Sequence, residues 1–169
     1  VTKNTKEFKT LEPKIDLEND LELVLRHPSV SSKQFLITIG DRSVGGLTVR
    51  DQMVGRYQVP TSNYALSSSS FISKRGEVAA IGEKPQIAIF NPSASLRMAF
   101  GELILNLISV PIANISKVVL SANWMAASGE NDNNLDLIEG VKALSEICCE
   151  LGVAIPVGKD SMSMRTDWN

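Results

Sequence analysis

From Ser93 to Val110, apolar residues occupy almost every direction of a helical repeat, and this stretch constrains the fold more than any other. Asn91-Pro92-Ser93 supplies capping groups and a proline suited to a first helical turn. Leu96, Phe100, Leu103, Ile104, Leu107 and Ile108 then recur at helical spacing, and Ala99 and Leu105 fill most of the rest. A helix hydrophobic on most faces is usually buried, so the chain must build layers around it. At 169 residues it has the length of about one domain with a substantial core.

The flanking segments supply those layers. Asp16 opens a short helical pattern with Leu17, Leu21, Val24 and Leu25 on one face, ended by Pro28. Phe35–Ile39 reads as a strand from its β-branched content, stopped by Gly40. Residues 41–60 carry Gly45, Gly46, Gly55 and several charges, the pattern of a strand between long irregular loops. Tyr64–Ile72 is expected to be a strand whose Ser67–Ser70 run packs tightly, with a low-complexity linker as the alternative for the serines, and Glu77–Ile81 is too short to divide between strand and helix start. Val118–Leu120 is expected to be a strand. Asn131–Asn134 forms a polar loop capping a second helix, whose buried face is Leu135, Ile138, Val141, Leu144, Ile147 and Leu151. Gly152 closes that helix, Val153–Val157 forms the final strand, and a loop follows from Gly158.

These segments predict an α+β domain with a mixed or mostly antiparallel sheet and two main helices on one face. Val1–Ile15 is polar and aperiodic, a tail or linker, which leaves 16–169 as a single subdomain without internal repeats.

Composition excludes several classes. Hydrophobic content of 43% and charged content of 21% are those of a globular protein. A net charge of −2 argues against nucleic acid, whose phosphate backbone needs a dense cationic face. No apolar run reaches the roughly 18 residues of a membrane span, and Val1–Asp20 contains no apolar signal core, so neither membrane insertion nor a secretory peptide is expected. Cys148 and Cys149 are adjacent, a spacing that matches neither a zinc pair nor a CxxC redox pair. Reduced core or near-core thiols and a cytoplasmic setting fit them.

Three constellations could carry chemistry. Gly158-Lys159-Asp160-Ser161 gathers donors and acceptors suited to a phosphate and its counter-ion. It is not a nucleotide P-loop. Five residues separate Gly152 from Gly158, and Lys159 is followed by Asp160 rather than Ser or Thr. A polar turn after a strand remains the alternative. The position of so rich a loop near Asn169 suggests part of something larger.

Second, Glu102 and Asn106 share one face of the apolar helix, close enough to meet one cation or phosphate. A buried carboxylate must be paired or bind metal, and oxygen donors of this kind suit Mg²⁺. A narrow solvent-facing stripe that also includes Ser95 and Ser109 explains the same residues. Third, Asp41, Arg42, Arg50, Asp51 and Arg56 beside glycines could grip a phosphorylated substrate or simply form loop salt bridges. His27, the only histidine, sits at a helix end beside Pro28, which leaves no Ser-His-Asp or Cys-His arrangement.

Three segments together resemble a known family. They are Gly40-Asp41-Arg42-Ser43-Val44-Gly45-Gly46 with Arg50-Asp51-Gln52-Met53-Val54-Gly55, Leu120-Ser121-Ala122-Asn123-Trp124-Met125-Ala126-Ala127, and Pro156-Val157-Gly158-Lys159-Asp160-Ser161-Met162-Ser163-Met164. From about Leu23 to Trp168 the chain resembles phosphoribosylformylglycinamidine synthase of the large, single-chain type. The resemblance implies a parent enzyme of de novo purine synthesis that amidates formylglycinamide ribonucleotide to formylglycinamidine ribonucleotide. ATP activates the formyl amide oxygen, and ammonia from glutamine displaces the phosphate. It also implies a synthetase region of two similar halves, each resembling aminoimidazole ribonucleotide synthetase. This chain corresponds to the first subdomain of the second half, with the fold of that synthetase's N-terminal domain.

The resemblance further implies that Glu102 and Asn106 are Mg²⁺ ligands at an ATP or ADP site, with Asn63 where the family has an aspartate ligand. A neutral amide at Asn63 gives Mg²⁺ less charge, so a scaffold with a non-functional nucleotide site is the alternative function. Gly158, Lys159, Asp160, Ser161 and Arg42 are the implied nucleotide or substrate contacts, with Lys159 replacing an asparagine of smaller relatives. The family's catalytic histidine and glutaminase cysteine belong to other segments, so the chain alone is expected to be inactive. Its partners are the remaining domains of the same enzyme, and an isolated copy is expected to cover its open sheet by homodimerising.

Overall fold

The computed structural model describes residues 14–129 and 133–167. Most of the expected tail, 1–15, together with Asn131, Asp132 and Trp168, therefore lies outside the described residues. The chain divides into two compact units, with the boundary between Glu77 and Val78.

The first unit opens with helix α1, Leu17–Arg26. Asp16 caps it by accepting the Asn19 N–H at 3.4 Å, and Glu18, Asp20 and Arg26 complement its dipole. The helix is the one the sequence predicts, yet none of its residues is buried. The expected strand at Phe35–Ile39 is instead a short helix, α2, Gln34–Thr38. Preference for β structure reflects packing on a pleated surface more than the backbone itself. Here Phe35, Leu36 and Ile39 are exposed, so local bonds decide, including Ile39 N–H to Phe35 O and the Thr38 hydroxyl to Gln34 O.

Strand β1, Thr48–Arg50, lies in the irregular 41–60 segment as expected and pairs antiparallel with β2, Ala65–Ser68, across a register shift. β3, Gly76–Ala79, is third in the order β1-β2-β3, so the first part of the ambiguous 77–81 segment is strand and Ala80 and Ile81 lie beyond it. β2 is shorter than Tyr64–Ile72 because the serine run folds on itself. Ser68 Oγ donates to Ser70 O at 2.6 Å, and Ser70 Oγ accepts the Ser73 N–H at 3.1 Å, so the chain turns where a strand was expected. A Cβ at Gly76 would stand 2.4 Å from Ser67 O, so only glycine permits this approach. Met53 is the most deeply buried large side chain described.

The second unit holds the apolar helix. After a short turn of helix, α3 (Pro85–Ala88), comes α4, Pro92–Leu107, with Pro92 in its first turn and Asn91 Oδ1 accepting the Ala94 N–H at 2.8 Å. A 3-10 turn at Ile115–Lys117 leads to β4, Val119–Met125, longer than the expected strand. Helix α5, Asn133–Leu151, is closed by Gly152 at φ +68°, and β5, Ala154–Ser161, returns parallel to β4. A parallel pair needs such a crossover, and α5 provides it.

Phe100, Leu120, Leu144, Cys148 and Val153 form the core, with Leu96, Leu103, Ile104, Trp124 and Ile155 packed against it. The buried residues of α5 are Gly140, Ala143, Leu144 and Cys148, so of the six-residue stripe expected Leu144 is buried, Ile147 packs against the core, and smaller residues supply the rest of the face. The small residues win because they let α4 approach: a Cβ at Gly140 would stand 3.0 Å from Leu96 Cδ2. Ile138, Val141 and Leu151 stay exposed. Helix α4 is likewise only partly enclosed, with Leu105 67% and Ile108 75% exposed.

The α+β class stands, with strands in two sheets, a three-stranded one and the parallel pair β4–β5. Among the described residues, no helix is long and apolar enough to cross a membrane.

Candidate functional site

The most organised polar cluster lies along α4, where Ser95, Glu102 and Asn106 recur at helical spacing and meet a backbone strap, Ile81–Lys84. Ser95 Oγ donates to Lys84 O at 2.6 Å, and Asn106 Nδ2 donates to Ile81 O at 2.9 Å. Between these, Glu102 Oε2 accepts the Glu83 N–H at 3.0 Å and the Lys84 ammonium at 2.7 Å. Gly82 makes this contact possible. A Cβ there would stand 2.0 Å from Ala99 O and 2.7 Å from Leu103 N, so strap and helix touch backbone to backbone.

The polar stripe is therefore neither a fully buried ion site nor an open solvent face. Ser95 is buried, and Glu102 and Lys84 side chains are 35% and 34% exposed. Ser109 lies outside the cluster, exposed to solvent. The Lys84 hydrogen bond and then the Glu83 N–H hold the Glu102 carboxyl below its usual range against the opposing effect of burial, with the Lys84 charge adding least.

The donor set fits a hard divalent cation in part. Because the Asn106 amide nitrogen is committed to Ile81 O, its oxygen points elsewhere as an acceptor, and Glu102 Oε1 has no hydrogen-bond partner among the described residues. Two oxygens one helical turn apart can share an ion that draws its other ligands from phosphate and water. The protein does not close a cage, since no group of three or more His, Cys, Asp or Glu capable of holding a metal occurs among the described residues.

Asn63 belongs to the first unit, where it occupies an exposed bend just before β2. Arg50 braces that bend. Its Nε donates to Ser62 Oγ at 2.9 Å, and its guanidinium lies 4.7 Å from the centre of the Tyr64 ring. Arg42 in the same unit is engaged locally. Its Nη2 pairs with Asp51 Oδ1 and reaches Gln58 Oε1 at 3.3 Å, while its carbonyl accepts from Gln52 Nε2. Arg42 Nε and Gln52 Oε1 are buried there without partners among the described residues. Asp51 is held below the usual carboxyl range by the Met53 N–H first, with Arg42 adding to it and burial opposing.

Gly158–Ser161, expected to be a loop, is the second half of β5. Pairing with β4 extends through these residues: Ala122↔Gly158, Asn123↔Lys159, Trp124↔Asp160 and Met125↔Ser161. Side chains alternate along a strand, so Lys159 and Ser161 share one face with Asn123, while Asp160 shares the other with Trp124. Lys159 Nζ donates to Ser161 Oγ on its face. The four residues thus form two pairs of opposite outlook rather than one cradle.

On the inner side of β4, a cavity of about 120 Å³ lies against α4, lined by Gly82, Leu96, Ala99, Leu103, Ala122 and Trp124 among others. Cys148 is in the core and Cys149 exposed, and burial, with a lesser contribution from Cys149, pushes the Cys148 thiol up.

Sequence reasoning missed Gly82, Lys84 and the strap. The only sign of them was a glycine in an unassigned segment, followed by Glu-Lys-Pro. A family model described as FGAR-AT PurM_N-like domain matches residues 32–169.

Proposed function

Because the chain belongs to the FGAR-AT PurM_N-like domain family, and with it to the formylglycinamidine synthases of purine biosynthesis, we propose that it forms one wall of a nucleotide–Mg²⁺ site in an ATP- and glutamine-dependent amidoligase. The parent reaction in this reading is amidation of formylglycinamide ribonucleotide in the cytoplasm, in a large single-chain enzyme. Its catalytic base and glutamine chemistry reside in other segments, so the chain alone is inactive. The α+β fold resembling the N-terminal domain of aminoimidazole ribonucleotide synthetase accords with the family.

The observation that carries the reading is the pair Glu102 and Asn106, each with one oxygen left uncommitted on the same helix face. These two would hold Mg²⁺, and Asn63 is proposed on its own account as a neutral oxygen donor in the first unit. A bound Mg²⁺ would offset the charge of nucleotide phosphates and fix their orientation. The strap keeps Glu102 ionised and aimed, through the Lys84 ammonium first and the Glu83 N–H second. Lys159, Ser161 and Asn123 present donors along one sheet face to nucleotide or substrate, with Gly158 and Asp160 on the opposite one, and Arg42 is proposed separately as a phosphate contact within the first unit.

Calorimetric titration of ADP with Mg²⁺ into the intact enzyme tests this. Binding that weakens at least about tenfold in Glu102→Ala, the loss of a charged ligand, is expected. An absent heat, or one unchanged by the substitution, overturns the reading. A second reading, a scaffold with a non-functional nucleotide site, draws on Asn63 standing at a ligand position and on Lys84 already engaging Glu102. Silence in the same titration favours it.

The exposed outer face of β4–β5, with Val119, Met125 and Val157, suits cover by the remaining domains of the enzyme. In the isolated chain a second copy would take their part. Sedimentation at rising concentration should then show a dimer, and a monomer throughout would refute it.

A further inference from the structure

Lys84 stands where an incoming cation must compete with it. Its ammonium lies 2.7 Å from Glu102 Oε2 and offsets the carboxylate charge that the uncommitted Oε1 would offer a metal. Asn106 adds no charge. A divalent ion arriving alone at Oε1 would meet a carboxylate already neutralised and, unless the Lys84 side chain swings away, sit beside its ammonium with like charges a few ångströms apart.

The anchoring of Lys84 separates its two roles. Its carbonyl accepts from the buried Ser95 hydroxyl at 2.6 Å, which ties its backbone to α4. Its side chain is a flexible four-carbon stem, one-third exposed, and is free to swing. A phosphate oxygen bound to the arriving cation offers the ammonium a new partner within reach of that fixed backbone.

Resting on the proposed nucleotide–Mg²⁺ site, we infer that Lys84 is a placeholder cation that makes the site accept a divalent metal only together with a phosphate. The exchange conserves pairing. Glu102 passes from ammonium to metal, and the ammonium passes from Glu102 to phosphate. Cation and anion thereby bind with positive coupling, which must be reciprocal. The ligand class is a metal-bound nucleoside polyphosphate, and free divalent ion is excluded by competition.

The test uses Mn²⁺ as probe, followed by the paramagnetic signal of the free ion, on the intact enzyme with and without ADP. Lys84→Met should tighten Mn²⁺ alone by about threefold, the worth of a partly exposed ion pair, and weaken Mn²⁺ in the presence of ADP by a similar factor. Shifts of opposite sign are the signature, because simple damage to the fold would weaken both. Lys84→Arg, which keeps the charge, should restore the ADP-dependent binding. Unchanged affinities in Lys84→Met, or shifts of the same sign, overturn the placeholder while the site itself stands, provided Glu102→Gln weakens Mn²⁺ with ADP. If Glu102→Gln changes nothing, the site falls and the placeholder with it.

Discussion

Replacing Gly82 by alanine adds a single methyl group at the tightest contact between the strap and α4. The new carbon would lie 2.0 Å from Ala99 O, whereas an ordinary carbon–oxygen contact is about 3.3 Å. The strap must retreat by about 1.3 Å, since the obstacle is helix backbone rather than a movable side chain. The hydrogen bonds from Asn106 to Ile81 O and from the Glu83 N–H to Glu102, now 2.9 and 3.0 Å, would then approach about 4 Å and cease to be bonds. Overpacking costs about 1–3 kcal/mol, and each lost hydrogen bond adds about 1 kcal/mol, more where a carboxylate accepts it. A combined loss of about 3–5 kcal/mol is expected from these contributions, measured as a fall in urea midpoint at unchanged slope. Because the same strap aims Glu102, nucleotide binding with Mg²⁺ should weaken alongside. Stability within about 0.5 kcal/mol of the parent with binding intact, inside the scatter of neutral surface changes, would refute the close contact and its role.

Gly76→Ala meets Ser67 O at 2.4 Å and should destabilise by about 1–3 kcal/mol, read from thermal unfolding; a neutral result would show that β3 does not approach β2 as described. The Glu102 carboxyl is depressed in the folded state, so its contribution is fully present above the unfolded carboxyl's ordinary value and is lost as pH falls through the lower folded value. Denaturant titrations should therefore show the stability gap between parent and Glu102→Gln at neutral pH, closing in acid; a gap independent of pH contradicts the Lys84 pairing. Under native conditions a thiol reagent should modify Cys149 and spare Cys148, which is buried and whose thiol is pushed up; mass spectrometry showing both labelled at equal rates would contradict the core assignment.

What the sequence made legible was local. Helix α4 could be read because its cap, its proline and its apolar repeat all lie within one stretch, and α1 could be read for the same reasons. Phe35–Ile39 misled because β-branched composition foretells a strand only where a neighbouring strand exists to receive it. Gly158–Ser161 reads as a loop on composition, but its conformation is set by β4, a partner remote in sequence that the residues themselves do not announce. The strap was hidden for a different reason. Its acceptors are the carbonyls of Ile81 and Lys84 and its donor the Glu83 N–H, groups that every residue carries and no side chain reveals. Glu102 and Asn106 could thus be singled out, while the backbone they grip, and the Lys84 ammonium that arrives with it, could not.

The parallel pairing of β4 with β5 has a kinetic consequence. Val119 meets Ala154 only after α5 has bridged them, so this contact closes a long loop whose entropy must be lost before any pairing energy returns. Lys159 and Ser161 gain their common outlook only when that pairing is complete. A partly folded chain presents no such surface, so nucleotide or substrate engaging it would bind the native unit alone and shift the folding equilibrium toward it by mass action. Ligand added during refolding should then raise the final yield and slow unfolding, while leaving the earliest helical phase at its own rate.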